Sequence, residues 1–163
     1  AILVRTLLSE LGLQSWLKTS GGKGLHVVAP LAPRYAYDTV KGFSKAVVTH
    51  IARAIPSRFV AKSGPDNRVG KTFVDYLRNG RAQTTAAALS ARARPGRGVS
   101  MPVSWEQLPQ LESGSQWTIE TAPVYLAQQE QDPWADYWLS TQTLTAAMKA
   151  LGYRQERSSS LER

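Results

Sequence analysis

Apolar positions along this chain recur every three or four residues in some stretches and alternate in others, and the two periods divide it into helices and strands. Leu3, Leu7, Leu8 and Leu11 form one stripe that predicts a helix over residues 1–11, stopped by Gly12. The period then changes. Ser15 to Thr19 and Leu25 to Leu31 are short, rich in β-branched and aromatic residues, and flanked by Gly and Pro, so they predict two strands joined by a glycine-rich turn. Tyr37 to Ile55 is the clearest helix, with Val40, Phe43, Val47, Val48 and Ile51 on one face and Pro56 as its stop. Arg58 to Lys62 predicts another strand, and SGPDNRVG a loop. Thr72 to Arg78 alternates, which puts Phe73, Asp75 and Leu77 on one face and Val74 and Tyr76 on the other. Thr84 to Ser90 reads as a further strand before the basic loop ARARPGRG. Beyond it the pattern is helical: Ser104 with Gln107 resembles a capping box, Asp132 before Pro133 marks a helix start, and Leu144, Ala147, Met148 and Leu151 form a last stripe closed by Gly152. Helices interspersed with strands predict an α/β (α+β) sheet with helices on at least one face.

Charge sharpens the division. The chain carries a net +8, but residues 1–97 hold 16 Lys and Arg against 4 Asp and Glu, whereas residues 98–163 hold 4 against 8. A boundary near Gly98 is expected, with a basic part over 1–97, a helical part over 98–153 and a loose tail over 154–163. A basic excess of this kind points to a polyanion. The absence of cysteine excludes disulfides and thiolate metal sites. No apolar run approaches the roughly 20 residues of a membrane helix, and no secretion signal opens the chain, so a soluble, intracellular protein is expected. The sequence begins at Ala1 inside a helical pattern, which suggests a segment of something longer.

Several stretches invite a chemical reading. GPDNRVGKT ends like a nucleotide-binding loop, but Gly64 and Gly70 enclose five residues where that motif has four, and an alternating strand follows instead of a helix. It is rejected. In SGGKG the glycines let backbone N–H groups converge on an anion, Lys23 adds a mobile charge and Ser20 a hydroxyl donor, but a flexible hairpin with a surface lysine accounts for the same residues. His26 lies on the strand face shared with Val28, where it is either a hydrogen-bonded structural residue or a phosphate ligand; His50, late in the long helix, reads as structural. Asp75 among apolar neighbours requires a cation, either a magnesium or manganese ion or a partner such as Arg68, Lys71 or Arg78. Arg92 and Arg94 alternate so that both can grip phosphates from one side, or simply form a solvated basic surface. Trp16 and Tyr76 suit base stacking and core packing equally.

The ordered series LGLQSWLKTSGGKGLHVVAPL, RVGKTFVDYLRN, SARARPG and VSMPVSWEQL, with DPWADYW following, closely resembles the polymerase domain of bacterial DNA ligase D, in the archaeo-eukaryotic primase superfamily. The resemblance implies a primase-like central sheet flanked by helices, with a C-terminal helical extension. It implies that Ser20, Lys23 and His26 contact the phosphates of an incoming nucleotide, that Asp75 is a metal-site carboxylate, and that Arg68 and Arg92 contact the nucleotide. The implied cofactor is Mn2+ or Mg2+. The implied partners are DNA ends, nucleoside triphosphates, Ku and a ligase domain, in the bacterial cytoplasm at the nucleoid. The family's first motif, an Asp-x-Asp metal pair, lies upstream of the LGL helix, so an incomplete two-metal site and no polymerase activity are expected of this chain alone. Arg78 and RNGRAQTT depart from the Gln and Gly-Ala found at these places in other members. The alternative is a non-catalytic basic module that holds nucleic acid.

Overall fold

The computed structural model describes residues 1–64 and 66–154, except the Arg68 side chain; the remainder of the expected tail lies outside the described residues. The chain forms two units that interleave along the sequence, one from residues 1–32 and 84–142, the other from 33–83 and 143 onward.

In the first unit, helix α1 (Ile2–Glu10) ends on Leu11, and Gly12 takes a φ of +76° that a side chain would disfavour. Strands β1 (Trp16–Thr19) and β2 (Leu25–Val28) pair antiparallel, with Trp16 opposite Val28 and Lys18 opposite His26. A strand absent from the sequence reading, β5 (Pro102–Val103), pairs antiparallel with the other edge of β1, so β1 lies between β2 and β5. Its neighbours in sequence are equally central. Leu17, Val99, Met101, Val103, Trp117 and Ala122 form the buried core, with Leu25 and Val27 against it. Full burial of a side chain such as Leu17 stabilises by about 1.5–3 kcal/mol. The opposite face of β1 carries Trp16, which meets Tyr137 edge-on at 5.6 Å and so is taken up by packing.

Three expectations for this unit are corrected. Residues 84–90 form no strand; they turn, with Leu89 at a φ of +62° and its N–H donating to Ser100 O. Ser104 and Gln107 make only half of a capping box, the Gln107 side chain accepting from Ser104 N–H at 2.8 Å ahead of a short 3-10 turn, Leu108–Gln110. Asp132 likewise caps Trp134 N–H but leads into turns and the 3-10 segment Tyr137–Leu139, so the region after Gly98 is far less helical than expected; its helix in this unit is the six-residue α3 (Ala122–Ala127).

In the second unit, α2 (Tyr37–Ala54) buries Thr39, Phe43, Val47, Val48 and Ile51. Gly42 in its middle admits Tyr153, whose ring a Cβ would strike. Strands β3 (Phe59–Val60) and β4 (Thr72–Phe73) form a parallel pair, and α4 (Thr145–Ala150) closes the unit with Leu144 and Ala147 buried. The strand expected over 72–78 stops at Phe73 and gives way to a 3-10 turn, Leu77–Asn79.

Candidate functional site

The glycine-rich turn between β1 and β2 is tightly held. Ser20 is buried, and its Oγ accepts from the N–H groups of Gly22 and Gly24, both at 3.1 Å. A hydroxyl has two lone pairs and one proton, so these two bonds fill its acceptor capacity and leave the O–H as a fixed donor. This corrects the idea that the glycine amides converge on an anion: two of them are already turned inward. Glycine is required here for a different reason, close backbone approach. A Cβ on Gly21 or on Gly98 would lie 2.7 Å from the other's carbonyl oxygen, and a Cβ on Gly114 would lie 2.6 Å from Gly24 N and 2.8 Å from Gly22 O. The turn is thus seated on neighbouring backbone rather than standing free as a hairpin.

Basic side chains surround the turn. Arg92 Nη1 donates to Ser20 O at 3.2 Å, while the Arg92 backbone N–H bonds to Gly98 O. Arg94 brings Nη1 to 4.0 Å from where a Gly22 side chain would begin, so Arg92 and Arg94 do approach from the same loop, as their alternation predicts. Lys23 stands exposed on the turn.

Sequence reasoning missed the chemically most unusual residue. Lys18 is 4% exposed, and its Nζ lies 2.7 Å from Ala86 O, 2.7 Å from Ser100 Oγ and 2.8 Å from His26 Nδ1. Burial, and then the Arg92 guanidinium, push its pKa down from 10.5 to about 8. A lysine in a strand reads as surface, and its polar partners at residues 86 and 100 lie too far along the chain to signal a pocket. The one available signal was the strand register, which places Lys18 directly across from His26.

Asp75 and Arg68 belong to the second unit. The Arg68 backbone ends the 3-10 turn Asp66–Arg68. Asp75 is exposed, not packed among Phe73 and Leu77: its Oδ1 accepts from Leu77 N–H at 2.9 Å and its Oδ2 lies 3.6 Å from Arg78 Nε. An aspartate that bonds its own backbone two residues on favours a turn over a ladder, which is why alternation failed at this position. The residue following GKT is strand, consistent with the rejection of a phosphate loop at Gly70. His50 is exposed on α2. Among the described residues no three His, Asp or Glu side chains group as a metal site, so Asp75 fits a divalent ion as one oxygen ligand and does not complete a site. Among the same residues, no helix is long and apolar enough to cross a membrane.

Comparison with known proteins places these features in context. Residues 1–134 match the family model for LigD, primase-polymerase domain. The chain is 52% identical over 145 residues to the multifunctional non-homologous end joining protein LigD of Pseudomonas aeruginosa, a match covering 88% of this chain and 17% of that protein. It is 33% identical over 105 residues to the protein of the same description from Mycolicibacterium smegmatis, covering 64% of this chain and 14% of the relative. Among solved structures, the polymerase domain from Mycobacterium tuberculosis ligase D in complex with DNA superposes with a TM-score of 0.76 at 28% identity, over 87% of this chain and 49% of that one. The chain thus spans less than a fifth of these two curated relatives.

Proposed function

Because this chain belongs to the LigD primase-polymerase domain family, we propose that it supplies the triphosphate-holding part of a nucleotidyltransferase that adds ribonucleotides or deoxyribonucleotides to DNA ends in bacterial non-homologous end joining. The observation that carries this reading is the held turn, with the Ser20 hydroxyl, Lys23, His26, Arg92 and Arg94 gathered on one unit. The family match favours this reading over the non-catalytic module.

Phosphoryl transfer asks the protein mainly for positioning and for charge to meet the phosphate oxygens. Ser20 offers a preoriented O–H, Arg92 and Arg94 offer forked donors, and Lys23 a mobile ammonium that follows the leaving pyrophosphate. Arg68 is proposed as a further nucleotide contact. Asp75 is proposed as one ligand of Mn2+ or Mg2+, which when bound would supply a Lewis acid. With a single such carboxylate among the described residues, the chain alone is proposed not to extend primers. DNA ends, Ku and a ligase domain are the proposed partners, which would place the protein at the nucleoid.

The test is primer extension with the full-length protein that contains this chain. Ser20→Ala with Arg92→Ala is expected to raise the KM for nucleotide at least tenfold; an unchanged KM refutes the cradle. Binding of ATP should also weaken as salt rises, since the contacts are ionic.

A further inference from the structure

The position of Lys18 implies more than packing. Its ammonium has three N–H groups and three partners. Ala86 O can only accept, and Ser100 Oγ gives its own proton to Thr19 O at 2.7 Å, so toward Lys18 it also accepts. The third N–H therefore points at His26 Nδ1, which must receive it with a lone pair. A neutral imidazole that accepts at Nδ1 carries its proton on Nε2.

We propose that Lys18 is a positioning residue that fixes His26 as the Nε2–H tautomer, so that the ring meets a bound phosphate oxygen as a hydrogen-bond donor. This rests on the reading of His26 as a phosphate contact. A ring in the other tautomer would turn a lone pair toward the anion and repel it. The groups that face Lys18 are His26 on β2, Arg92 on the basic loop, and the neutral Ser100 hydroxyl and Ala86 carbonyl. None of these neutralises the ammonium, so the same arrangement predicts a reversal: a lysine that has lost its proton keeps two N–H donors for Ala86 and Ser100 and takes the third bond as an acceptor, moving the imidazole proton to Nδ1.

The experiment is nitrogen-15 NMR of the chain labelled at histidine, with the second ring identified by His50→Gln. At pH 7 the His26 Nδ1 is expected to be unprotonated and Nε2 protonated, with the pattern inverting in the wild-type chain near pH 10. Lys18→Met should lose the fixed pattern and weaken binding of ATP and of tripolyphosphate by about tenfold, whereas in a His26→Gln background the same change should weaken it less than about twofold. A ring protonated at Nδ1 at pH 7, or an unchanged ring in Lys18→Met, overturns the assignment of Lys18, and an equal loss in both backgrounds overturns its action through His26. Wild-type chain that binds neither ATP nor tripolyphosphate, with the expected ring pattern, overturns the phosphate reading instead. The wild-type pH series decides the matter even if Lys18→Met does not fold, since it needs only the ring assignment from His50→Gln at an exposed position.

Discussion

Burying Lys18 should leave a specific mark on stability. In the unfolded chain this lysine keeps its proton to about pH 10.5, whereas in the folded chain it releases it above about pH 8. Between these values the unfolded state binds more protons, so stability must rise with pH, the reverse of the behaviour of a lysine that gains an acidic partner. The separation of the two pKa values corresponds to roughly 3 kcal/mol. Below pH 8 the charged ammonium is buried in both acid and neutral solution, and its contribution is flat. All five tryptophans, residues 16, 105, 117, 134 and 138, lie in the unit that contains Lys18, so urea unfolding followed by tryptophan fluorescence reports on that unit. The quantity to measure is the stability of the wild type minus that of Lys18→Met from pH 6 to 10.5, in which other groups titrating in the window cancel. It should be level to pH 8 and then climb by about 2–4 kcal/mol. A difference that stays level, or falls, refutes the account of Lys18 as a charged group taken out of water.

Other substitutions test other parts of the site. Gly114→Ala places a Cβ against Gly24 and Gly22 and should cost about 1–3 kcal/mol in urea unfolding and reduce ATP affinity, because the turn must move to admit it. Asp75→Ala removes an exposed carboxylate whose ion pair and turn bond contribute at most about 1 kcal/mol; thermal unfolding should barely change, while extension by the full-length protein is lost. Trp134→Phe deletes the bond from Nε1 to the buried Leu17 carbonyl and should destabilise by about 1–3 kcal/mol without affecting the KM for nucleotide.

What could be read from the sequence was whatever is encoded locally. Helix α2 is amphipathic over five turns and its stop is covalent, so its bounds and buried face were legible. The β1–β2 hairpin was legible because glycine and strand periodicity agree there. The segment 98–103 was not: Ser100 and Pro102 disguise a strand whose burial comes from partners at Leu17 and Trp117. Asp75 was assigned a buried face because alternation alone cannot report that a side chain will bond its own backbone. At the candidate site, Ser20, His26 and Arg92 were marked out by the family resemblance of their motifs, whereas Lys18 is defined by register and by acceptors supplied from distant segments, information that no window of sequence contains.

The backbone-to-backbone seating of the turn has a consequence for how the molecule is made. Gly21 rests on Gly98, and Gly24 on Gly114, so the loop acquires its shape only when the later segments have arrived. A nascent chain still short of Gly114 carries the hairpin sequence without the walls that mould it. The turn should then take its final shape late in synthesis, once the segment around Gly114 has been made.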